Sequence, residues 1–286
     1  MDMWLVFLGF HLFGFVGYNL MLRKSVTDNI DRFTLATVMQ TGITIPLIFT
    51  LFFHVPSFDG YDLGILALVI GTLILTIALH VTNTVSLKYL EASVYSVLYN
   101  LRIVFTTILG IIFLGEDTDW LRICGGILIL LAIFIVKQKG SKSIISKGFE
   151  WGLAAALTIS FLNLFEKELI SDIGYLNYAV PLMVVATLIM WGYLYYRDRA
   201  IDYKIMLKPR MIQLMALRDI SAFGFVAAFA YGGLLSVSNY ISSMGVIFMV
   251  ALGVLLLDER DYLRRKIIAT GVAVCGLTLV LIASLV

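Results

Sequence analysis

The chain has 286 residues, of which 60% are hydrophobic and only 14% charged, with a net charge of +2 and a mean hydropathy of +0.97. Soluble domains carry about 25% charged residues, so this composition excludes an ordinary soluble enzyme, and the near-neutral charge implies no nucleic acid or other acidic polymer as partner. Repeated apolar stretches near the roughly 20 residues that cross a bilayer make it a polytopic membrane protein.

In chain order, ten spans are expected, at about 3–22, 33–54, 62–86, 91–114, 120–137, 149–170, 175–196, 211–235, 239–257 and 262–285. All should be helices, because in lipid the backbone must satisfy its own hydrogen bonds. The first opens after Asp2 without the basic stretch of a signal peptide and reads as a retained span. The expected fold class is an all-α membrane protein of ten transmembrane helices. The most polar connections are KQKGSKSIISK, between spans five and six, and YRDRAIDYKIMLKPR, between seven and eight, which has room for a short surface helix. Cys124 and Cys275 lie in apolar stretches, where a small buried residue is the simplest reading. Trp4, Trp120, Trp151 and Trp191 stand near span ends, as an interfacial aromatic belt would place them.

The chain is written twice. TTILGIIFLGEDTDW ends one apolar helix and VALGVLLLDERDY another, which puts Glu116 and Glu259 143 positions apart. Asn19-Leu20-x-x-Arg23 recurs as Asn163-Leu164-x-x-Lys167, 144 positions on. Five spans per half, an odd number, give residues 1–140 and 141–286 opposite orientations. Inverted repeats are the plan of many secondary transporters, with the solute near the midplane between the halves. Basic residues fall almost entirely in one set of alternate loops, including Arg23, Lys24, Lys88, Lys137, Arg197, Lys208 and Arg264, whereas the opposite set holds little beyond Arg122 and Lys167. That bias supports the span count and puts both termini on the non-cytoplasmic side of a cell membrane, the inner one where there are two.

Polar groups inside a bilayer are costly and invite a functional reading. His11 is mid-way in the first span, with Gly14 and Tyr18 at i+3 and i+7. Its imidazole either lines a pocket, takes up a coupling proton, or is a hydrogen-bonded packing group. Arg102 lies about 16 Å into the fourth span at roughly 1.5 Å per residue. Tyr95, Tyr99, Arg102 and Thr106 follow i, i+4, i+7, i+11, one stripe on one helix face, suited to a cavity wall with a guanidinium for an anionic group. A structural tie to an internal acid or carbonyl is the competing reading of Arg102. At an offset of 143, Ser238 and Ser242 on the ninth helix correspond to Tyr95 and Tyr99. His80, Asn83 and Arg218 are candidates for the cytoplasmic mouth, with interfacial snorkelling as the alternative for Arg218. Asn163 is a pocket candidate or, like Asn19, interhelical glue. Glu166 and Glu168 are expected on a solvated face, and Glu116 and Glu259 at helix ends as caps or tethers.

Residues Ser86 to Val136, SLKYLEASVYSVLYNLRIVFTTILGIIFLGEDTDWLRICGGILILLAIFIV, resemble the fourth and fifth helices of the drug/metabolite transporter superfamily in its ten-helix, EamA-like form. The elements are Gly115-Glu116 and Gly125-Gly126, with Asp258-Glu259 and Gly271 in the second copy; Ile103 and Val246 stand where that family often has proline. The resemblance implies alternating-access transport of a small solute by two five-helix halves.

Three functional readings follow. The first is a secondary transporter of a small anionic or zwitterionic metabolite, favoured by Arg102 and by the lack of an acid in the central thirds of the helices. The second is an exporter of cationic or aromatic compounds through a tyrosine-lined cavity. The third, of another class, is a channel or a non-transporting scaffold. No catalytic constellation and no metal-ligand spacing occurs, so neither an enzyme nor a cofactor is implied. The expected partners are the solute, the bilayer, and a coupling proton or counter-solute; the oligomeric state is open, and a monomer is compatible with this reading.

Overall fold

In the computed structural model, the residues described are 3–27, 30–114, 120–136, 144–198, 203–230, 242–259 and 261–285. They form α1 (Met3–Thr27), α2 (Arg32–Thr50), α3 (Leu63–Tyr89), α4 (Ala92–Tyr99), α5 (Leu101–Leu114), α6 (Trp120–Val136), α7 (Ile144–Ile173), α8 (Tyr175–Asp198), α9 (Pro209–Ala230), α10 (Gly245–Leu257) and α11 (Leu263–Leu285). A 3-10 turn, Tyr203–Leu207, lies in the polar connection before α9. No strand occurs among the described residues. Six stretches, α1, α2, α3, α4 with α5, α7 and α8, are long and apolar enough to cross a membrane, and shorter apolar helices accompany them. Large apolar side chains such as Phe13, Ile74, Phe134, Leu188 and Leu255 point outward, a surface that suits lipid and not water. The protein is an all-α, multi-pass membrane protein.

Local chemistry sets the helix ends. Asp31 and Asp62 cap α2 and α3 by accepting from the N–H groups of Thr34 (2.9 Å) and Ile65 (2.7 Å). Gly174, at φ +82°, is the one residue between α7 and α8, a conformation that side chains resist. α4 has no cap of its own: the Glu91 side chain makes no capping bond there.

The most extensive helix contacts join α1 to α9, α6 to α11 and α3 to α7; α2 also packs on α8, and α4 on α10. Glycines set the closest approach. A Cβ on Gly14 would stand 2.5 Å from the Leu217 carbonyl, and one on Gly224 2.6 Å from the His11 nitrogen, so the backbones of α1 and α9 touch.

Several expectations need correction. The second span is helical only to Thr50, and residues 51–53 form a turn. The fourth span is two helices separated at Asn100, not one. Cys275 is exposed on the apolar surface and Cys124 half-buried, because α11 and α6 meet through their glycines instead. Trp191 donates to the Thr41 hydroxyl at 2.9 Å, so it ties α8 to α2 as well as lying near a helix end.

Candidate functional site

Two helix breaks frame the site. At the first, Asn100 N–H donates to the Val97 carbonyl at 3.3 Å and Ile103 N–H to the Asn100 carbonyl at 3.1 Å, a three-residue pattern that tightens the chain between α4 and α5. At the second, helical Ser242-Ser243 is followed by a turn at Met244, where Ile247 N–H donates to the Met244 carbonyl at 3.0 Å as α10 begins. Asn100 and Met244 are 144 positions apart, the offset of the sequence repeat. Neither break uses proline, which explains how Ile103 and Val246 are tolerated. Non-helical backbone at membrane depth is stable only where protein or a cavity satisfies it.

Arg102 follows the first break and is 9% exposed. Its Nη2 donates to the hydroxyls of Ser242 (3.2 Å) and Ser243 (3.1 Å), and its guanidinium lies 5.0 Å from the Tyr99 ring centroid. Tyr99 stacks on Tyr95 at 5.4 Å, and the Tyr95 hydroxyl donates to Asn83 Oδ1. Ser160 of α7 donates to the Arg102 carbonyl at 3.0 Å. The side chain thus spans from the first half to the second.

His11 completes a chain of polar groups. Its Nδ1 is 2.8 Å from the Ser221 carbonyl and its Nε2 2.8 Å from the Ser242 hydroxyl. A carbonyl only accepts, so in a neutral ring Nδ1 carries the proton and Nε2 accepts from Ser242. Ser242 then accepts from Arg102 and donates to His11.

A second arginine sits nearby. The Arg218 guanidinium lies 5.0 Å from the Tyr18 ring centroid. Phe15 meets Tyr18 edge-on at 5.7 Å and Tyr99 at 6.5 Å, so one aromatic wall joins the two cations. Among the described residues neither arginine forms an ion pair, and the Nε of each is buried without a hydrogen-bond partner. Buried charge such as that of Arg102 is expensive unless something pairs with it.

The structure thus gathers His11, Tyr18, Tyr95, Tyr99, Arg102, Ser242 and Arg218, with Asn83 behind Tyr95. It does not gather every candidate. Thr106 lies past the break, half-buried and bonded to none of these groups, because the broken helix does not continue the stripe. Asn163 is half-buried and makes no side-chain hydrogen bond among the described residues, while Asn19 donates to its own helix at the Phe15 carbonyl, 2.7 Å away. Ser238 lies outside the described residues. His80 is buried rather than at an open mouth, within electrostatic reach of Arg218. Arg218 is half-buried, with its guanidinium over the Tyr18 ring. Glu166 is half-buried, within electrostatic reach of Arg218, Tyr175 and Tyr178. Sequence reasoning missed Ser221, Ser243, Phe15 and Ser160. Ser243 adjoins a named residue; for Ser221 the available signal was its place one turn after Arg218.

Comparison with known proteins follows the same line. Residues 2–138 match the EamA-like transporter family. A solved crystal structure aligns with 96% of this chain and 94% of its own length at a TM-score of 0.64 and 13% identity, a likeness of fold alone. Among curated proteins, no sequence matches this chain. The match over residues 2–138, just under half of the chain, makes its first half similar to the EamA-like transporter family, in keeping with the drug/metabolite transporter superfamily and with a membrane transporter of small molecules.

Proposed function

We propose that the protein is a secondary transporter that carries a small anionic or zwitterionic metabolite by alternating access, with the acidic group of the solute held by Arg102, Ser242 and Ser243. The observation that carries this reading is the enclosed Arg102 guanidinium: it bridges two helix breaks, has an unused Nε, and faces no carboxylate at ion-pair distance among the described residues. An anionic solute supplies the missing charge through charge-assisted hydrogen bonds. Arg218 stands ready along the aromatic wall. Glu166, within reach of Arg218, favours the zwitterionic form of the reading because it offers a place for a positive group.

The packing supports two halves, residues 1–140 and 141–286, related by a two-fold axis. Such an axis exchanges the first helix with the sixth and the eighth with the third, so the pairing of α1 with α9 requires that of α3 with α7. Both occur. The loop bias supports placing both termini on the non-cytoplasmic side of the cell membrane. Rocking of one half against the other then exposes the Arg102 pocket to one side at a time.

The test is thermal stability of the purified protein against acids, phosphates, zwitterions and amines. A ligand at 100 times its Kd stabilises by about 2.7 kcal/mol. Stabilisation by acids or zwitterions that vanishes in Arg102→Ala is the expected result. Stabilisation by amines that survives Arg102→Ala would make Arg102 a tie and move the site to the tyrosines.

A further inference from the structure

The N-terminus of α4 is capped by the other half of the protein. Ala92 N–H donates to Glu259 Oε1 at 2.8 Å, and Ser93 donates to Oε2 through its hydroxyl (2.8 Å) and its N–H (3.3 Å). The first N–H groups of a helix have no partner within it, and a carboxylate there also meets the positive end of the helix dipole. Glu259 is aimed by a left-handed turn: Asp258 has φ +55°, and Glu259 N–H closes onto the Gly253 carbonyl at 3.1 Å. A Cβ on Gly253 would stand 3.0 Å from Glu259 Oε2, so glycine leaves the carboxylate its room.

Further charges complete the cluster. Arg23 Nε is 3.7 Å from Glu259 Oε1, while its Nη1 donates to the Leu87 (2.6 Å) and Lys88 (3.1 Å) carbonyls at the end of α3. Lys266 donates to the Glu259 carbonyl at 2.8 Å and pairs with Glu91, the residue that would otherwise cap α4. Glu259 and Lys266 are 7% and 2% exposed.

The line between the halves passes through this cluster. Glu259 and Lys266 lie on one side of it; Arg23, Glu91, Ala92 and Ser93 lie on the other. A helix with a local cap stays satisfied in every conformation. α4 is satisfied only while α10 abuts it. We propose that Glu259, with Arg23, Ser93, Glu91 and Lys266, is the gate on the lysine- and arginine-rich face: the conformation described is closed there, and opening that face draws Glu259 off the α4 N-terminus. Every group released is charged or a hydrogen-bond donor, so water entering the vestibule replaces what is broken and the step stays reversible. This inference rests on the alternating-access reading.

The experiment is a spin-label distance measurement on the full chain in proteoliposomes, with Cys124 and Cys275 replaced by alanine. Labels go on Lys88 and Arg264, both exposed and on opposite sides of the line. In Glu259→Ala and in Ser93→Ala a longer-distance population at least doubles, while cooperative melting shows that the fold persists. Lys266→Met gives a third variant should Glu259→Ala not fold. Distance distributions that superimpose on the parent in every variant that melts cooperatively would overturn the gate. Arg102-dependent stabilisation by solute, measured on the same samples, is independent of that result, so the gate and the solute reading fail separately.

Discussion

Gly125 of α6 and Gly276 of α11 face each other reciprocally: a Cβ on Gly125 would lie 2.5 Å from the Gly276 carbonyl oxygen, and one on Gly276 2.6 Å from that of Gly125. Backbone against backbone leaves no flexible neighbour to yield. Gly125→Ala and Gly276→Ala should each lower the melting temperature, by the equivalent of about 1–3 kcal/mol of overpacking. Gly271→Ala should be neutral or slightly stabilising, because open space surrounds that position. Equal melting temperatures for all three in detergent would refute the close helix contact.

The same glycines show what a sequence can carry. The repeat offset pairs the first glycine helix with Gly271, yet the glycine that meets Gly125 is Gly276: an offset aligns halves along the chain but does not say which face of a helix turns inward. The helices themselves were legible, because apolar length decides them in lipid. Arg102, Tyr95 and Tyr99 were legible because charge and hydroxyls at that depth are rarely idle. The break at Asn100 was not, since proline, its usual marker, is absent. Glu166 reads as solvated from its place near a helix end, and it is half-buried. The contact of Arg218 with the Tyr18 ring was not legible, because it joins residues 200 positions apart in the chain.

At the site, geometry separates charge from shape. Arg102 donates from one Nη to two serines and stacks on Tyr99, a task for a planar fork rather than a point charge. Arg102→Lys should therefore retain only weak solute stabilisation, at least tenfold poorer in affinity, and Arg102→Ala none. Ser242→Ala should weaken binding as well, because it also unpairs His11 Nε2. Isothermal titration with whichever acid stabilises the parent reads all three, and a Lys variant that binds like the parent would refute the fork.

Asn83 and Tyr95 test how rigidly the aromatic stack is held. The Tyr95 hydroxyl donates to Asn83 Oδ1 between α4 and α3, both side chains buried. Interhelical hydrogen bonds in membranes average about 0.6 kcal/mol. Tyr95→Phe should thus cost stability by less than about 2 kcal/mol while leaving the ring stack in place, and Asn83→Ala should cost more because it strands a buried hydroxyl. Unfolding in mixed micelles measures both; the reverse order would show that the bond is not made.

The Asp31–Arg197 pair, 3.1 Å apart at the end of α2, gives a pH dependence. Burial raises the Asp31 carboxyl, but the Thr34 N–H, the Arg197 hydrogen bond and charge, and the Thr34 hydroxyl outweigh it and hold the group below its ordinary 3.8. A depressed folded value stabilises above the unfolded one and is lost as pH falls through it. The melting temperature of the parent should exceed that of Asp31→Asn by a constant margin from pH 5 upward, and the margin should shrink below pH 4. The margin is small, because the pair is solvent-exposed and screened. A margin that widens on acidification would contradict the sign.

The gate proposed above has a counterpart in the sequence repeat. Carried across offsets of 143 and 144, Glu259 becomes Glu116, Ser93 becomes Ser236 and Arg23 becomes Lys167, while Asp258, whose left-handed turn glycine fits best, becomes Gly115. Gly115, Glu116 and Ser236 lie outside the described residues, so the expectation rests on sequence. Two reciprocal latches of equal chemistry would let each half close one face, and weakening either should favour opening on its own side only. Glu116→Ala should therefore lengthen a label distance between Asp59 and Asp172, exposed residues on the face away from the basic loops, and leave the Lys88–Arg264 distance short. If Glu116→Ala instead lengthens the Lys88–Arg264 distance, the two glutamates do not act on opposite faces and the reciprocal arrangement is wrong.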